Sequence, residues 1–184
     1  LNKKHKNIKV IIRKKKEGIG AALRCGYNAA SGRLILSSDS DLSFSTNDML
    51  RLIDKINSGY DLVVGSRYLS KKDYEKLKIK TMIKGFVSKY GNILVRVFSG
   101  IDIHDYSSNF RIIRRKVWND IETKEKTNPI LLEMIVKTAY KGYKVTEIPV
   151  KFLERKYGKS KINLFKEVPK FFIKLVYYSL KYRF

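Results

Sequence analysis

The stretch Leu34-Ile35-Leu36-Ser37-Ser38-Asp39-Ser40-Asp41 decides how this chain is read. Leu34–Ser37 reads as a short buried strand, because an unbroken apolar run stopped by turn residues fits a strand covered on both faces. Two carboxylates, one residue apart, follow it at once. Upstream, Gly18–Ala30 reads as a helix of small residues. Ahead of that, Asn7–Ile12, with Ile8, Val10, Ile11 and Ile12 and no breaker, reads as another buried strand. Downstream, Thr46–Asn57 reads as a helix, with Ser45 or Thr46 as its cap, Asp48 in its first turn and Gly59 as its stop. Asp61–Gly65 is a third strand. Strands alternating with helices imply parallel βαβ units, so the fold class is α/β. Ligands in such sheets sit beyond the carboxyl ends of the strands. Asp39-Ser40-Asp41 and Gly65-Ser66-Arg67 both fall there.

The remaining chain adds helices with basic edges. Ile79–Phe98 carries apolar residues at helical spacing, with Lys80, Lys84, Lys89 and Arg96 off that stripe. Pro129–Tyr140 reads as a helix that tolerates its proline at the start. Lys144–Phe152 reads as a strand, and Pro149 inside it argues for a sheet edge or a strand end. Leu164–Leu180 is helical again. Positions 164, 165, 168, 171, 172, 175, 176 and 179 make one face, and Lys166, Lys170 and Lys174 make a basic stripe. Pro169 fits a first turn or a kink. No apolar run approaches the roughly 20 residues of a membrane span.

The 184 residues hold 40 Lys+Arg against 17 Asp+Glu, a net charge of +23. The excess is not uniform: residues 17–70 carry net −1, residues 1–16 carry +8 and residues 151–184 carry +8. Such a balance asks for an anionic partner: a phosphate-bearing substrate, an acidic membrane or nucleic acid. The single cysteine, Cys25, excludes an intramolecular disulfide framework and suits a reducing compartment. The 12 tyrosines and nine phenylalanines among the lysines would suit a stacking surface for nucleic acid. No DNA- or RNA-binding motif accompanies them, and aromatics on helical stripes fit a core. No nucleic-acid partner is therefore expected; a non-catalytic basic module for nucleic acid or an anionic membrane surface is the alternative.

Asp39 and Asp41 suit one divalent cation, since Mg²⁺ prefers oxygen ligands and is shared with substrate phosphates. The same two residues suit a strand-end turn in which one carboxylate caps the next helix. Gly18-Ile19-Gly20 resembles the start of a dinucleotide fingerprint, but position 23 is Leu where the third glycine belongs. Two glycines allowing a tight turn and close helix packing is the better reading. Arg67 and Arg111 offer forks for phosphate, or structural ion pairs. Arg155 through Lys161 is a cationic loop with one glycine hinge, suited to folding over a diphosphate or to standing in solvent. His104 is more often a paired side chain than a metal ligand, and Cys25 reads as an apolar contact.

Taken in order, Gly18-Ile19-Gly20-Ala21-Ala22, Asp39-Ser40-Asp41-Leu42, Val64-Gly65-Ser66-Arg67-Tyr68, Asp105-Tyr106-Ser107-Ser108-Asn109-Phe110-Arg111, Leu132-Glu133-Met134, Gly142 through Val150 and Arg155 through Lys161 resemble family 2 glycosyltransferases. The likeness is to the polyprenyl-phosphate branch, which is dolichol-phosphate mannose synthase-like. It implies a GT-A (Rossmann-like) fold over residues 1–161, with an interfacial helix near 79–98. A C-terminal amphipathic membrane-surface helix over 162–184 is implied as well. It implies transfer from a nucleotide-sugar donor, GDP-mannose or UDP-glucose, to a polyprenyl phosphate lipid, with Mg²⁺ or Mn²⁺. The enzyme would be peripheral, on the cytoplasmic side of an anionic membrane surface. Asp39 and Asp41 match the metal and donor-diphosphate positions. Arg67, Ser108 and Arg111 match the acceptor-phosphate positions, and Asp41, Arg67 and Arg111 the catalytic ones. Arg155 and Lys161 match the loop that closes over the donor diphosphate. Two departures stand out: Ser43 where many relatives carry Gln, and Asn109 where Gly is commoner. The family's opening strand, its Pro-x-Tyr-Asn-Glu stretch and its nucleotide-recognising segment are also expected to be missing, so the chain reads as the C-terminal part of an enzyme.

Overall fold

In the computed structural model, which describes residues 7–41, 43–69, 92–93, 95–151 and 164–182, four strands form one sheet. They are β1 (Leu34–Ser37), β2 (Leu62–Ser66), β3 (Arg111–Arg114) and β4 (Val145–Pro149), in the order β1-β3-β2-β4. The helices are α1 (Ile19–Ala29), α2 (Thr46–Asn57), α3 (Arg115–Ile121), α4 (Ile130–Tyr140) and α5 (Leu164–Lys181).

The sheet is mixed. β2 and β4 are parallel, as a βαβ reading requires, but β3 runs antiparallel between β1 and β2. Val64 and Ser37 both pair with Arg111. β1 and β2 therefore point the same way and finish at the same end of the sheet, where β3 begins. β4 lies at an edge, where the missing N–H of Pro149 costs no ladder bond.

Alternation along the strands sorts the core into two layers. Ile35, Leu62, Val64 and Ile113 face one side and pack with Tyr27, Trp118 and the buried residues of α4. Val63, Ile112 and Ile148 face the other side and meet Leu52 and Ile56 of α2. Leu52 and Ile56 are fully buried, worth about 1.5–3 kcal/mol each. The Ser45 hydroxyl caps α2 by accepting from the Asp48 amide at 3.1 Å. Gly20 packs flat on the backbone of 125–127, where an added Cβ would stand 2.6 Å from the Glu125 carbonyl. That contact fills the space a dinucleotide would need and supports the close-packing reading.

Two expectations are corrected. Asn7–Ile12 is not a strand, and Val10, Ile11 and Ile12 are 56%, 43% and 89% exposed. A strand is stabilised by lateral hydrogen bonds, and no described strand runs beside this segment. The single apolar face expected of the last helix is split. Leu175 and Tyr178 are buried in the main core, with Phe171 and Tyr182 packed against them. Phe172, Ile173, Val176, Tyr177 and Leu180 lie on the outside. The Lys174 ammonium, 2.7 Å from Glu125, and the Tyr178 hydroxyl, which donates to Glu125 at 3.0 Å, tie α5 to the loop before α4. The expected boundary at 161/162, most of the expected helix 79–98, and Arg155 and Lys161 lie outside the described residues.

Candidate active site

Three loops meet at the end of the sheet where β1 and β2 finish: 38–41 after β1, 67–69 after β2 and 104–110 before β3. Their chemistry-bearing residues are the two aspartates, Arg67 and the segment Asp105–Asn109.

Asp41 is fixed by an Asx turn. Its Oδ1 accepts from the Ser43 amide at 3.1 Å and from the Ser43 hydroxyl at 2.5 Å. Ser43, fully buried, thus orients the carboxylate. Asp39 is exposed, and its Oδ1 accepts from the Asn109 Nδ2 at 3.1 Å. The Asn109 carbonyl accepts from the Ser37 hydroxyl at 2.6 Å, which itself shares a hydrogen bond with the Tyr27 hydroxyl at 2.7 Å. The aspartate loop and the Asp105–Asn109 loop are therefore joined by main-chain and side-chain bonds. Desolvation raises the Tyr27 hydroxyl above its ordinary pKa and keeps it neutral.

A divalent cation fits this corner. Asp39 bonds to the Asn109 amide, Asp41 lies two residues on, and the amide oxygen of Asn109 is a buried atom with no hydrogen-bond partner. An all-oxygen donor set suits Mg²⁺ or Mn²⁺. Among the described residues no three His, Cys, Asp or Glu side chains gather around one point.

Arg67 ends β2 and lies against Asp105. Its Nε donates to Asp105 Oδ2 at 2.7 Å and its Nη2 to Oδ1 at 2.8 Å, a bidentate pair that fixes the guanidinium plane. Nη2 also donates to the Ser107 hydroxyl at 2.8 Å. The Asp105 side chain is wholly buried and that of Arg67 is 26% exposed, so the fork reaches the surface from a buried anchor.

Arg111 and Ser108 differ from expectation. Arg111 is fully buried, and its guanidinium donates to main-chain carbonyls. Nε reaches the Ser108 carbonyl at 2.9 Å, Nη2 closes on the same oxygen, and Nη1 reaches the Leu131 carbonyl at 2.8 Å. Burial lowers its pKa to about 10, so it stays cationic at neutral pH. The Ser108 hydroxyl accepts from the Phe110 amide at 3.3 Å and is buried too. Both residues brace the loop from inside and are buried. The reason is sequence alternation: Arg111 starts β3 on the core-facing side, across from Tyr27.

Glu147, which sequence reading left without a role, belongs here. Glu147 of β4 accepts from the amides of His104 and Asp105 and from the His104 ring. Glu133, expected only as part of a motif, is 1% exposed and gathers the amides of Lys124 and Glu125 at 2.9 Å. His104 is a partnered side chain, as expected. Gly65 is required by close approach: a Cβ there would stand 2.5 Å from Phe110 Cδ1.

Residues 1–121 match the family described as Glycosyl transferase family 2. The chain is 28% identical over 162 residues to the polyprenol monophosphomannose synthase of Mycolicibacterium smegmatis, covering 85% of this chain and 60% of that protein. It is 32% identical over 158 residues to the dolichol-phosphate mannosyltransferase of Pyrococcus furiosus, covering 85% of this chain and 44% of that protein. It thus spans about half the length of these curated relatives. Among solved structures, the glucosyl-3-phosphoglycerate synthase of Mycobacterium tuberculosis, in complex with Mn²⁺, UDP and phosphoglyceric acid, superposes with a TM-score of 0.64 at 13% identity, over 94% of this chain and 55% of that one. That likeness is one of fold, the GT-A fold. The chain belongs to glycosyl transferase family 2.

Proposed function

We propose that this chain forms part of an enzyme that moves a hexose from a nucleotide sugar to a polyprenyl phosphate. The observation that carries the reading is the convergence, at one sheet end, of the loop bearing Asp39 and Asp41, the Asn109 amide bonded to Asp39, and an arginine held bidentate on a buried carboxylate. The names of the relatives support the lipid phosphate class. The phosphate oxygen of the lipid attacks the anomeric carbon, the bond from that carbon to the diphosphate breaks, and nucleoside diphosphate leaves. The attacking oxygen is already anionic, so positioning and charge stabilisation carry the reaction without a strong base. Asp39, Asp41 and the amide oxygen of Asn109 would hold the cation. When bound, Mg²⁺ or Mn²⁺ supplies positive charge to the departing diphosphate. Arg67 binds and orients phosphate. Arg111 and Ser108 hold the loop that carries Asn109. Arg155 and Lys161 belong to the donor-diphosphate side in this reading.

The acceptor places the reaction at an anionic membrane surface. Supporting this, α5 exposes Phe172, Ile173, Val176, Tyr177 and Leu180 on its outer side, while Leu175 and Tyr178 anchor it to the core. No described helix is long and apolar enough to cross a membrane, so the contact is peripheral in this reading. The net charge of +23 suits the cytoplasmic leaflet, whose anionic lipids attract basic segments. The test is sugar transfer from GDP-mannose and from UDP-glucose to polyprenyl phosphate in micelles, with Mn²⁺ or with chelator. Metal-dependent product with either donor supports the reading. No product with either, or full activity in chelator, refutes it.

A further inference from the structure

We propose that Glu147 is a positioning residue for Arg67, acting through Asp105; this rests on the reading of Arg67 as a phosphate-binding residue. Glu147 comes from the edge strand β4, and its side chain is 6% exposed. Oε1 accepts from the His104 amide at 2.9 Å and from the His104 Nδ1 at 2.5 Å. Oε2 accepts from the Asp105 amide at 3.3 Å. One carboxylate thus holds two consecutive amides and the ring between them. That fixes the main chain at the residue whose side chain holds Arg67. Asp105 accepts from the Arg67 amide at 3.1 Å as well as from its Nε and Nη2. A carboxylate that grips both the main chain and the fork of an arginine permits few guanidinium orientations.

Register adds to the argument. Val64 of β2 pairs with Glu147 of β4 in parallel, and Ser66 pairs with Pro149. Arg67 therefore leaves β2 beside the strand that bears Glu147. The support runs strand to loop to arginine across three segments far apart in sequence. The His104 ring fixes the other side. Nδ1–H donates to Glu147, which leaves Nε2 to accept from the Arg96 Nη1 at 2.9 Å. Arg96 also pairs with Asp102 at 2.5 Å. Carboxylates of this kind fix the orientation of the groups that meet the substrate, and losing one misaligns them without removing them.

The test uses the full-length protein and three variants: E147Q, D105N and R67K. A glutamine at 147 keeps one acceptor and turns the other into a donor that faces an amide N–H. Nitrogen-15 NMR reads the Arg67 Nε–H and the amides of His104 and Asp105. In E147Q, exchange at both amides and at the Arg67 Nε–H should speed up about tenfold, while amides of Leu62–Ser66 stay within about twofold. In D105N, the Arg67 Nε–H should change while the His104 amide stays protected, which orders the three residues. In transfer assays E147Q should lose about tenfold in kcat/KM, and E147Q with R67K should be no worse than R67K within about twofold. Multiplying losses, or an Arg67 Nε–H unchanged in E147Q, would overturn the proposal. If the wild type transfers no sugar at all, the functional reading has failed, and the Arg67 Nε–H still decides the positioning. Should E147Q not fold, E147D keeps the charge, shortens the reach by one methylene and takes its place in every arm.

Discussion

Replacing Arg111 by lysine separates a phosphate-binding arginine from one that builds a loop. The change keeps the positive charge and removes the fork. Arg111 donates from three nitrogens to three main-chain carbonyls, those of Tyr106, Ser108 and Leu131. A lysine nitrogen reaches only one of them and loses the fork's other bonds, at a cost of about 1–3 kcal/mol. Lost packing of the planar group adds about 1 kcal/mol. The expected destabilisation is about 2–4 kcal/mol, or about 4–16 °C in Tm for a chain of this length. Thermal unfolding followed by circular dichroism measures it directly. The Ser108–Asn109 segment should loosen with it, so its amides should exchange faster than those of β2. A Tm within about 1 °C of wild type, combined with lost sugar transfer, would refute the reasoning and return Arg111 to the substrate.

Asp41→Asn should abolish Mn²⁺ binding, read by electron paramagnetic resonance, and sugar transfer with it, while the melting curve stays unchanged. Asn109→Gly should weaken Mn²⁺ binding and Asn109→Asp should strengthen it; equal affinity across the three would remove Asn109 from the cation corner. Gly65→Ala places a Cβ 2.5 Å from Phe110 Cδ1 and 3.1 Å from Val150 Cγ1 and should cost about 1–3 kcal/mol, measured by denaturant unfolding. Phe172→Asp with Val176→Asp should remove the salt-resistant part of sedimentation with anionic liposomes at unchanged Tm, whereas Leu175→Asp should unfold the protein. Liposome binding untouched by the outer pair would disprove the α5 contact.

The elements with long periodic patterns were legible in the sequence. α2 runs from Thr46 to Asn57 as its cap and stop residues indicate, and β1 occupies Leu34–Ser37 as its apolar run does. β3 was not legible, because Arg111-Ile112-Ile113-Arg114 is four residues long with a basic residue at each end. Its core-facing arginine breaks the pattern by which buried strands are recognised, and missing it turned a mixed sheet into a parallel one. Asn7–Ile12 failed the other way: local apolar character suggested a strand whose lateral partner no local signal can report. At the site, carboxylate spacing marked Asp39 and Asp41, and strand ends marked Arg67. Glu147 was invisible, since its role depends on β4 lying beside β2, which only the three-dimensional register supplies.

The central place of β3 also sets the order in which the molecule can assemble. β1 and β2 leave the ribosome before β3, yet neither pairs with the other, and the strand between them is encoded more than 40 residues after β2 ends. Until Arg111–Arg114 emerges, Leu34–Ser37 and Leu62–Ser66 present unpaired edges of Leu, Ile and Val, the kind of surface that recruits chaperones or joins to a neighbouring nascent chain. A slow stretch of translation before residue 111 lengthens that exposure, and one after it delays the arrival of α3, α4 and β4, which cover and complete the sheet. Slow synonymous codons on either side of Arg111 would therefore lower the yield of folded protein without altering one amino acid, those before it by exposing bare strand edges and those after it by leaving the sheet uncovered.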